Sequence, residues 1–276
     1  MQLVGGRQEI EASWEVAVGE GGKIAALDYE AWFAHSAIGE NIQKFPVHAA
    51  ASCIDQVYAI PNISFTGHLV RQHVVERTAV RAPGHFEGAI LADAMMDGVA
   101  ASLKMPGHKL REANLARGRF NTSGLKGSMM PQGTMEGNSG PALWASLLEK
   151  SDYEKRAQAV EEFNAKNTWK KRGISMTAAR YGIIAPPGCC ARMDIFKDGT
   201  LQIACSGAEL GQGLHVKVGQ MVCTVLERSL GAGPPVDCIK FLDTSTEQNP
   251  NGVMTGGSTT SEGNMFAAGE AATEIA

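Results

Sequence analysis

A glycine-rich turn between a predicted strand and a predicted helix carries the residues of this sequence best suited to bind a ligand. The predicted strand, Thr200–Cys205, is followed by Gly207, Gly211 and Gly213, and apolar residues then recur at helical spacing. Such a turn leaves backbone N–H groups unpaired at the positive end of a helix dipole, which favours an anion such as phosphate. Short glycine motifs often bind nothing, so this pattern alone leaves both outcomes open.

A second segment concentrates hydroxyl groups and glycines directly before a predicted alanine-rich helix. Thr259 and Glu262 have the spacing of a capping box, in which each side chain satisfies an amide at the helix start. Capping accounts for only one or two of the hydroxyls, and the others remain free to contact a ligand. The residues concerned are Thr255, Gly256, Gly257, Ser258, Thr259, Thr260 and Ser261.

The composition excludes several classes of function. A net charge of −4 provides no basic surface for nucleic acid. No apolar run reaches membrane-spanning length and no signal peptide is recognisable, so we expect no membrane partner. The six cysteines lack C-x-x-C spacing and the seven histidines lack H-E-x-x-H. We therefore expect no metal or iron–sulfur cluster held by this chain, and a reduced, cytoplasmic protein.

The hydrophobic pattern predicts both helices and strands. Trp14–Val18 and Ile24–Phe33 form a predicted hairpin. A predicted helix follows the turn at Pro83 and Gly84, with an apolar stripe of Ile90, Leu91, Ala94, Met95 and Val99. The other predictions are helices at Leu143–Leu148, Tyr153–Asn167 and from Leu214 to a glycine cap at Gly231; strands at Ile174–Ile184, Ala191–Phe196, Leu201–Cys205 and Val236–Leu242; and a loop or insertion at Asn121–Gly140.

Several segments also resemble one known family. SGAELGQGLHVKVGQ, from Ser206 to Gln220, is similar to the GGTEMGQGLHTK-type segment of the xanthine dehydrogenase and aldehyde oxidase family of molybdenum hydroxylases. MTGGSTTSE, from Met254 to Glu262, is similar to the aldehyde oxidase form of a second family loop. RAPG at Arg81–Gly84 and VEEFNAKNTWKKRGIS at Val160–Ser175 match further family patterns, so the resemblance covers nearly the whole chain.

The resemblance implies an α+β molybdopterin-binding fold of the aldehyde oxidase and xanthine dehydrogenase type, present here as an incomplete fragment. Residues 1–185 would form the first part of the molybdopterin-binding region, and residues 186–276 the start of its second subdomain. Gln212 would contact the cofactor, and the backbone of Val80 and Arg81 would lie near the oxo ligand of molybdenum. The remaining cofactor-binding residues would be Gly211 and Gly213, with the loop Thr255, Gly256, Gly257, Ser258, Thr259, Thr260 and Ser261 binding the pterin and its phosphate.

Three positions bear on the substrate that the resemblance implies. Ala49 stands where xanthine-oxidising members carry a substrate-binding arginine. Pro83 and Ala185 stand where such members carry aromatic rings that stack on a purine. A pocket without these groups loses its selectivity for a polar purine. The expected reaction is therefore hydroxylation of small aldehydes to carboxylic acids, or of N-heterocycles.

The complete enzymes of this family combine molybdenum on molybdopterin with two [2Fe–2S] clusters and FAD on other domains. No segment of this chain matches the family's catalytic glutamate, its upstream glycine loop or its redox domains, so we assign no catalytic residue here. The chain would act with the remaining segments of the enzyme, as a homodimer when complete. Xanthine dehydrogenase is the alternative enzyme, and a non-catalytic truncated remnant of the family is the alternative without turnover.

Overall fold

The computed structural model describes residues 6–36, 40–75, 80–118, 120–121, 134–135, 137–182, 185, 187–250 and 252–276. The chain divides into two compact units, Met1–Tyr181 and Gly182–Ala276. Each unit packs helices against a sheet, which confirms the predicted α+β class. No helix within the described ranges is long and apolar enough to cross a membrane.

The first unit is built on a three-stranded sheet of order β1-β2-β3. β1 (Ile10–Val18) and β2 (Ile24–His35) are antiparallel and confirm the predicted hairpin. β3 (Ile63–Arg71) pairs with β2 in parallel. Parallel neighbours need a crossover connection, and helix α1 (Glu40–Ala51) lies in it. Alternate side chains of β2 are buried, as a strand with one face on the core requires: Leu27, Tyr29, Ala31 and Phe33.

Helices account for most of the rest of this unit. The predicted helices at Leu143–Leu148 and Tyr153–Asn167 are confirmed. The predicted loop Asn121–Gly140 lies largely outside the described residues, and within it Asn121 and Thr134 belong to a short antiparallel pair. The elements are α2 (His85–Leu103), α3 (Gly107–Asn114), β4 (Phe120–Asn121), β5 (Thr134–Met135), α4 (Gly140–Lys150) and α5 (Tyr153–Lys166).

The buried face of α2 differs from the predicted stripe. Leu91, Met95 and Val99 are buried as predicted, but Ile90 and Ala94 are exposed, so the prediction was wrong at those two positions. The helix packs against α1, α3 and β1. Its buried face is therefore rotated around the helix axis by part of a turn relative to the predicted apolar stripe. The residues that complete the buried face are Gly88, Ala92, Met96 and Ala100.

The predicted strand Ile174–Ile184 is wrong over its described part. Residues 174–182 follow an irregular path without strand pairing. Ile174 and Ala178 pack against the core of the first unit. The backbone N–H of Arg180 donates to the side-chain oxygen of Gln56 at 2.9 Å, so a side chain takes the place of a neighbouring strand here.

The second unit contains a three-stranded sheet of order β6-β7-β8 and two helices. β6 (Ala191–Ile195) and β7 (Leu201–Cys205) are antiparallel, and β8 (Ile239–Phe241) pairs with β7 in parallel. The predicted strand Val236–Leu242 is shorter than expected because its first three residues form a 3₁₀ turn. Helices α6 (Leu214–Leu230) and α7 (Thr260–Ile275) pack against each other.

Helix α6 ends as its sequence predicts. Gly231 has a φ of 78°, and its amide donates to the carbonyl of Glu227, which is the left-handed cap that glycine favours. One face of α6 forms the core of the unit with β7 and α7. The buried side chains on this face recur at intervals of four residues: Leu214, Val218, Val222 and Leu226.

Candidate functional site

The glycine-rich turn of the second unit leaves β7 and enters α6 past a point of close packing. A Cβ placed on Gly207 would lie 2.6 Å from Cγ2 of Thr260 and 2.7 Å from Nδ2 of Asn264. Real Cβ atoms do not approach other heavy atoms so closely, so this position requires glycine. The requirement arises because the end of β7 lies directly against the start of α7.

The amides of the glycine turn are occupied by a carboxylate of the same chain. Glu209 accepts hydrogen bonds at Oε1 from the amides of Gly211 and Gly213, at 2.9 and 3.0 Å. Its Oε2 accepts from the amide of His215 at 3.2 Å. The prediction that these N–H groups are unpaired was therefore wrong, because an acidic side chain within the turn serves as the anion at the helix start.

This arrangement also shifts the pKa of Glu209. Partial loss of hydration raises the pKa of the carboxyl, but hydrogen bonds from the amides of His215, Gly213 and Gly211 lower it more, and the net shift is downward. Hydrogen bonds to the charged form of a carboxylate favour ionisation. The carboxylate is therefore the form that holds the turn at neutral pH.

Gln212 lies at the centre of the same turn, half-buried. Its Oε1 accepts from the amide of Leu210 at 2.6 Å, and its Nε2 donates to the carbonyl of Ala208 at 2.8 Å. A primary amide has two N–H donors and two acceptor lone pairs. One donor and one lone pair are used within the turn, and one of each is left for a ligand.

The loop Thr255–Ser261 is joined to the glycine turn by a hydrogen bond. The amide of Ala208 donates to Oγ1 of Thr255 at 2.9 Å, which brings the two predicted binding segments together. Within the loop, the amide of Gly256 donates to Oγ1 of Thr260 at 3.2 Å. Gly257 and Ser258 both have positive φ, at 64° and 57°, and both are exposed.

The predicted capping box at the start of α7 is wrong. Thr259 stands at the N-cap of α7 and makes no capping hydrogen bond through its side chain. Oγ1 of Thr259 donates instead to the carbonyl of Gly256 at 3.2 Å, since the loop turns back sharply before the helix. The amides of the first turn therefore receive no cap from Thr259. Nζ of Lys217, on α6, donates to Oγ of Ser261 in this turn at 3.2 Å.

Asn264 organises both loops, and the sequence interpretation missed it. It is 1% exposed, and its Oδ1 accepts from the amide of Gly207 and from Oγ of Ser206 at 3.2 and 3.0 Å. Its Nδ2 donates to the carbonyl of Thr260 at 2.8 Å. Its position in the sequence could have indicated that it is buried. Asn264, Ala268 and Ala272 follow one another at intervals of four residues and therefore lie on the same buried face of α7.

In the first unit, the predicted loop around Arg81 has a strained, closely packed backbone. Val80 and Arg81 are exposed. Ala82 and Gly84 have φ values of 56° and 76°. A Cβ on Gly84 would lie 2.2 Å from the carbonyl oxygen of Pro46. The positive φ and the close approach both select glycine at this position.

Arg7 and Glu87 hold this loop in place, and neither was predicted to do so. Arg7 donates from Nη2 to the carbonyl of Arg81, and its Nη1 lies 3.5 Å from Oε1 of the buried Glu87. Oε2 of Glu87 accepts from the amide of Gly84 at 2.6 Å. The guanidinium also lies 4.3 Å from the ring centre of Phe86. The backbone of the loop is therefore held by hydrogen bonds on both sides of Pro83, at Arg81 and at Gly84.

The three predicted substrate-pocket residues differ in exposure. Ala49 lies on α1 and is 1% exposed, and a Cβ on Gly84 would lie 2.6 Å from the Cβ of Ala49. Pro83 is half-buried in the first unit, and Ala185 is exposed in the second. Their role in a substrate pocket stays a prediction. Among the described residues, no group of three or more His, Cys, Asp or Glu side chains could hold a metal ion.

Comparison with known proteins identifies the family. Two sequence models, each described as a molybdopterin cofactor-binding domain, match residues 1–115 and 146–276. Mouse xanthine dehydrogenase/oxidase is 29% identical over 280 residues, which covers 100% of this chain and 20% of the relative. Indole-3-acetaldehyde oxidase of Arabidopsis thaliana is 32% identical, with 95% and 19% covered.

Solved structures share the fold. A CO dehydrogenase from Oligotropha carboxidovorans has a TM-score of 0.80 at 20% identity, covering 98% of this chain and 34% of that one. Quinoline 2-oxidoreductase from Pseudomonas putida 86 has a TM-score of 0.71 at 16% identity, covering 98% and 34%. This chain spans about a fifth of the length of the curated relatives it matches. The chain belongs to the xanthine dehydrogenase and aldehyde oxidase family of molybdenum hydroxylases and consists of molybdopterin cofactor-binding domains, as its motifs predict.

Proposed function

We propose that this chain supplies molybdopterin-binding loops to an enzyme that hydroxylates aldehydes to carboxylic acids, or N-heterocycles, in the manner of aldehyde oxidases. The observation that carries the proposal is the joining of two motif loops in the second unit. The amide of Ala208, in the turn that carries Gln212, donates to Thr255, and Asn264 contacts both Gly207 and Thr260. A ligand could therefore contact both motifs at once.

The donor chemistry of this surface fits a pterin that carries a phosphate. The carboxamide of Gln212 keeps one donor and one acceptor, which suits the polar edge of a planar heterocycle. Thr259 does not cap the start of α7 through its side chain, and helix N-termini favour anions. Lys217 beside Ser261 adds a positive charge there. The phosphate would accordingly lie at α7 rather than at α6, where Glu209 already occupies the amides.

In the first unit, the backbone of Val80 and Arg81 would lie beside the oxo ligand of molybdenum. Both residues are exposed, and Arg7 and Glu87 hydrogen-bond to the backbone of Arg81 and Gly84. When bound, the cofactor supplies the hydroxyl transfer and accepts the electrons, and the residues of this chain bind and orient it. We place no catalytic residue in this chain.

The whole enzyme would include further segments. These would carry two [2Fe–2S] clusters, FAD and the catalytic glutamate, and the enzyme would be a cytoplasmic homodimer. Residues 1–185 and 186–276 would belong to successive molybdopterin-binding subdomains. Xanthine dehydrogenase is the second candidate, since the mouse xanthine dehydrogenase/oxidase, at 29% identity, is as similar in sequence as the mouse aldehyde oxidase 3, at 28%. A non-catalytic remnant is the third.

The substrate preference rests on Ala49, Pro83 and Ala185. None of these side chains can hydrogen-bond to a purine oxygen or stack on a purine ring, so selectivity for xanthine would be lost. We expect the enzyme completed with its other segments to have a higher kcat/KM for benzaldehyde than for xanthine. A higher kcat/KM for xanthine would refute the assignment and favour xanthine dehydrogenase.

A further inference from the structure

The turn that presents Gln212 is folded around the carboxylate of Glu209. Gly211 and Gly213 have φ values of 96° and 76°, and the amides of both donate to the same oxygen of Glu209. Successive amides in such a turn form a concave anion site. Here the anion belongs to the chain itself, and the amide of His215 binds its second oxygen.

Gln212 lies between the two glycines whose amides Glu209 holds. Its side-chain oxygen accepts from Leu210, and its nitrogen donates to Ala208. Both partners are backbone groups of the turn, so the orientation of the carboxamide depends on the path of that backbone. The path in turn depends on two left-handed glycines held by one carboxylate.

We propose that Glu209 is a positioning residue of the cofactor site, which fixes the carboxamide of Gln212 by holding the backbone of the turn. This inference rests on the proposed role of Gln212 as a cofactor contact. Glu209 itself would touch no part of the ligand. If Glu209 served only as a cap for α6, its loss would fray the helix start and leave the side chain of Gln212 unchanged.

Two substitutions of Glu209 leave different numbers of side-chain oxygens to accept hydrogen bonds from the turn. Glu209→Gln keeps one oxygen, which can still accept from Gly211 and Gly213, but its nitrogen cannot accept from His215. Glu209→Ala removes all three bonds. The orientation of Gln212 is therefore expected to be largely retained in Glu209→Gln and lost in Glu209→Ala.

The first test uses the full chain without cofactor. In ¹H–¹⁵N NMR spectra, Glu209→Ala is expected to move the backbone amide signals of Gly211, Gly213 and His215, and to bring the two side-chain NH₂ signals of Gln212 towards the positions of a free amide. Glu209→Gln is expected to restore most of the Gln212 separation. Glu227→Gln, on the exposed face of α6, is the matched control. Unchanged Gln212 side-chain signals in Glu209→Ala would overturn the proposal.

The second test measures pterin bound per chain in the enzyme assembled with its other segments. Glu209→Ala and Gln212→Ala are each expected to lower pterin content by about fivefold or more. The double variant is expected to lose no more than Gln212→Ala alone, since Glu209 acts through Gln212. Additive losses would overturn the proposal. A wild-type enzyme without pterin would refute the proposed function instead, and the NMR result would then decide the Glu209–Gln212 coupling by itself.

Discussion

Gly84→Ala is expected to destabilise the first unit strongly. Gly84 has a φ of 76°, and an alanine Cβ there would lie 2.2 Å from the carbonyl oxygen of Pro46 and 2.6 Å from the Cβ of Ala49. The positive φ costs alanine about 1–2 kcal/mol, and overpacking costs about 1–3 kcal/mol. The free energy of unfolding should therefore fall by about 2–5 kcal/mol.

The same substitution at Gly21 distinguishes the conformational cost from the cost of overpacking. Gly21 has a φ of 66° and no heavy atom within 4 Å of its Cβ position, so Gly21→Ala should carry only the conformational cost of about 1–2 kcal/mol. The four tryptophans all lie within residues 1–181, so tryptophan fluorescence during urea unfolding reports on the first unit alone. Equal losses in the two variants would refute the close packing of Gly84 against α1.

The other predictions concern packing, polar contacts, pH and turnover. Ala49→Arg should destabilise the first unit, because Ala49 is 1% exposed and a charge placed there would be buried; urea unfolding tests this. Asn264→Ala should cost about 1–3 kcal/mol, because the amide of Gly207 and Oγ of Ser206 lose their acceptor; thermal melting followed by circular dichroism measures it. Burial lowers the pKa of His85, with the nearby Arg180 acting in the same direction and Glu87 opposing both. The unfolded state then binds more protons, so stability should fall as pH drops through the ordinary histidine range, and His85→Gln should flatten that dependence. The purified 276-residue chain should not oxidise benzaldehyde, and measurable benzoate would contradict this.

The local pattern was sufficient to predict several elements. The hairpin was predictable because two β-prone runs flank a glycine turn, and α6 because its apolar residues recur every four positions and end at Gly231. Helix α1 was not predictable in the same way. Pro46 lies within it, and proline in a helix interior normally indicates a break. Its tertiary packing against α2 and β3 outweighs that local preference.

The candidate site shows a similar division. The motifs located Gln212 and the Thr255–Ser261 loop because each motif is a continuous run of residues in the sequence. The residues that hold the binding loops in place could not be identified from the sequence. Glu209 looks like a solvated charge in a turn, and Arg7 is distant in sequence from the loop that it holds. Such roles depend on the geometry of the folded backbone, which composition and periodicity do not specify.

Two wrong predictions, the capping box of α7 and the strand from Ile174, are explained by the hydrogen-bond partners that the polar groups have in the folded chain. The capping box failed because Oγ1 of Thr259 found a nearer partner in the carbonyl of Gly256. The strand predicted from Ile174 failed because the side chain of Gln56 accepts the hydrogen bond from Arg180 that a neighbouring strand would have taken. In both cases the sequence pattern is compatible with two sets of hydrogen bonds, one belonging to regular secondary structure and one made by a side chain. The folded chain contains the second set.

The content of molybdenum and pterin in the assembled enzyme will show whether Gln212 helps to hold the cofactor. The chain would be co-expressed with its remaining segments, and both would be quantified per polypeptide by mass spectrometry. We predict that the wild type retains both, that Gln212→Ala lowers both because a polar contact worth about 1–3 kcal/mol is lost, and that Gln158→Ala, on the exposed surface of α5, leaves them unchanged. Equal molybdenum and pterin in wild type and Gln212→Ala would contradict the role of the glycine turn.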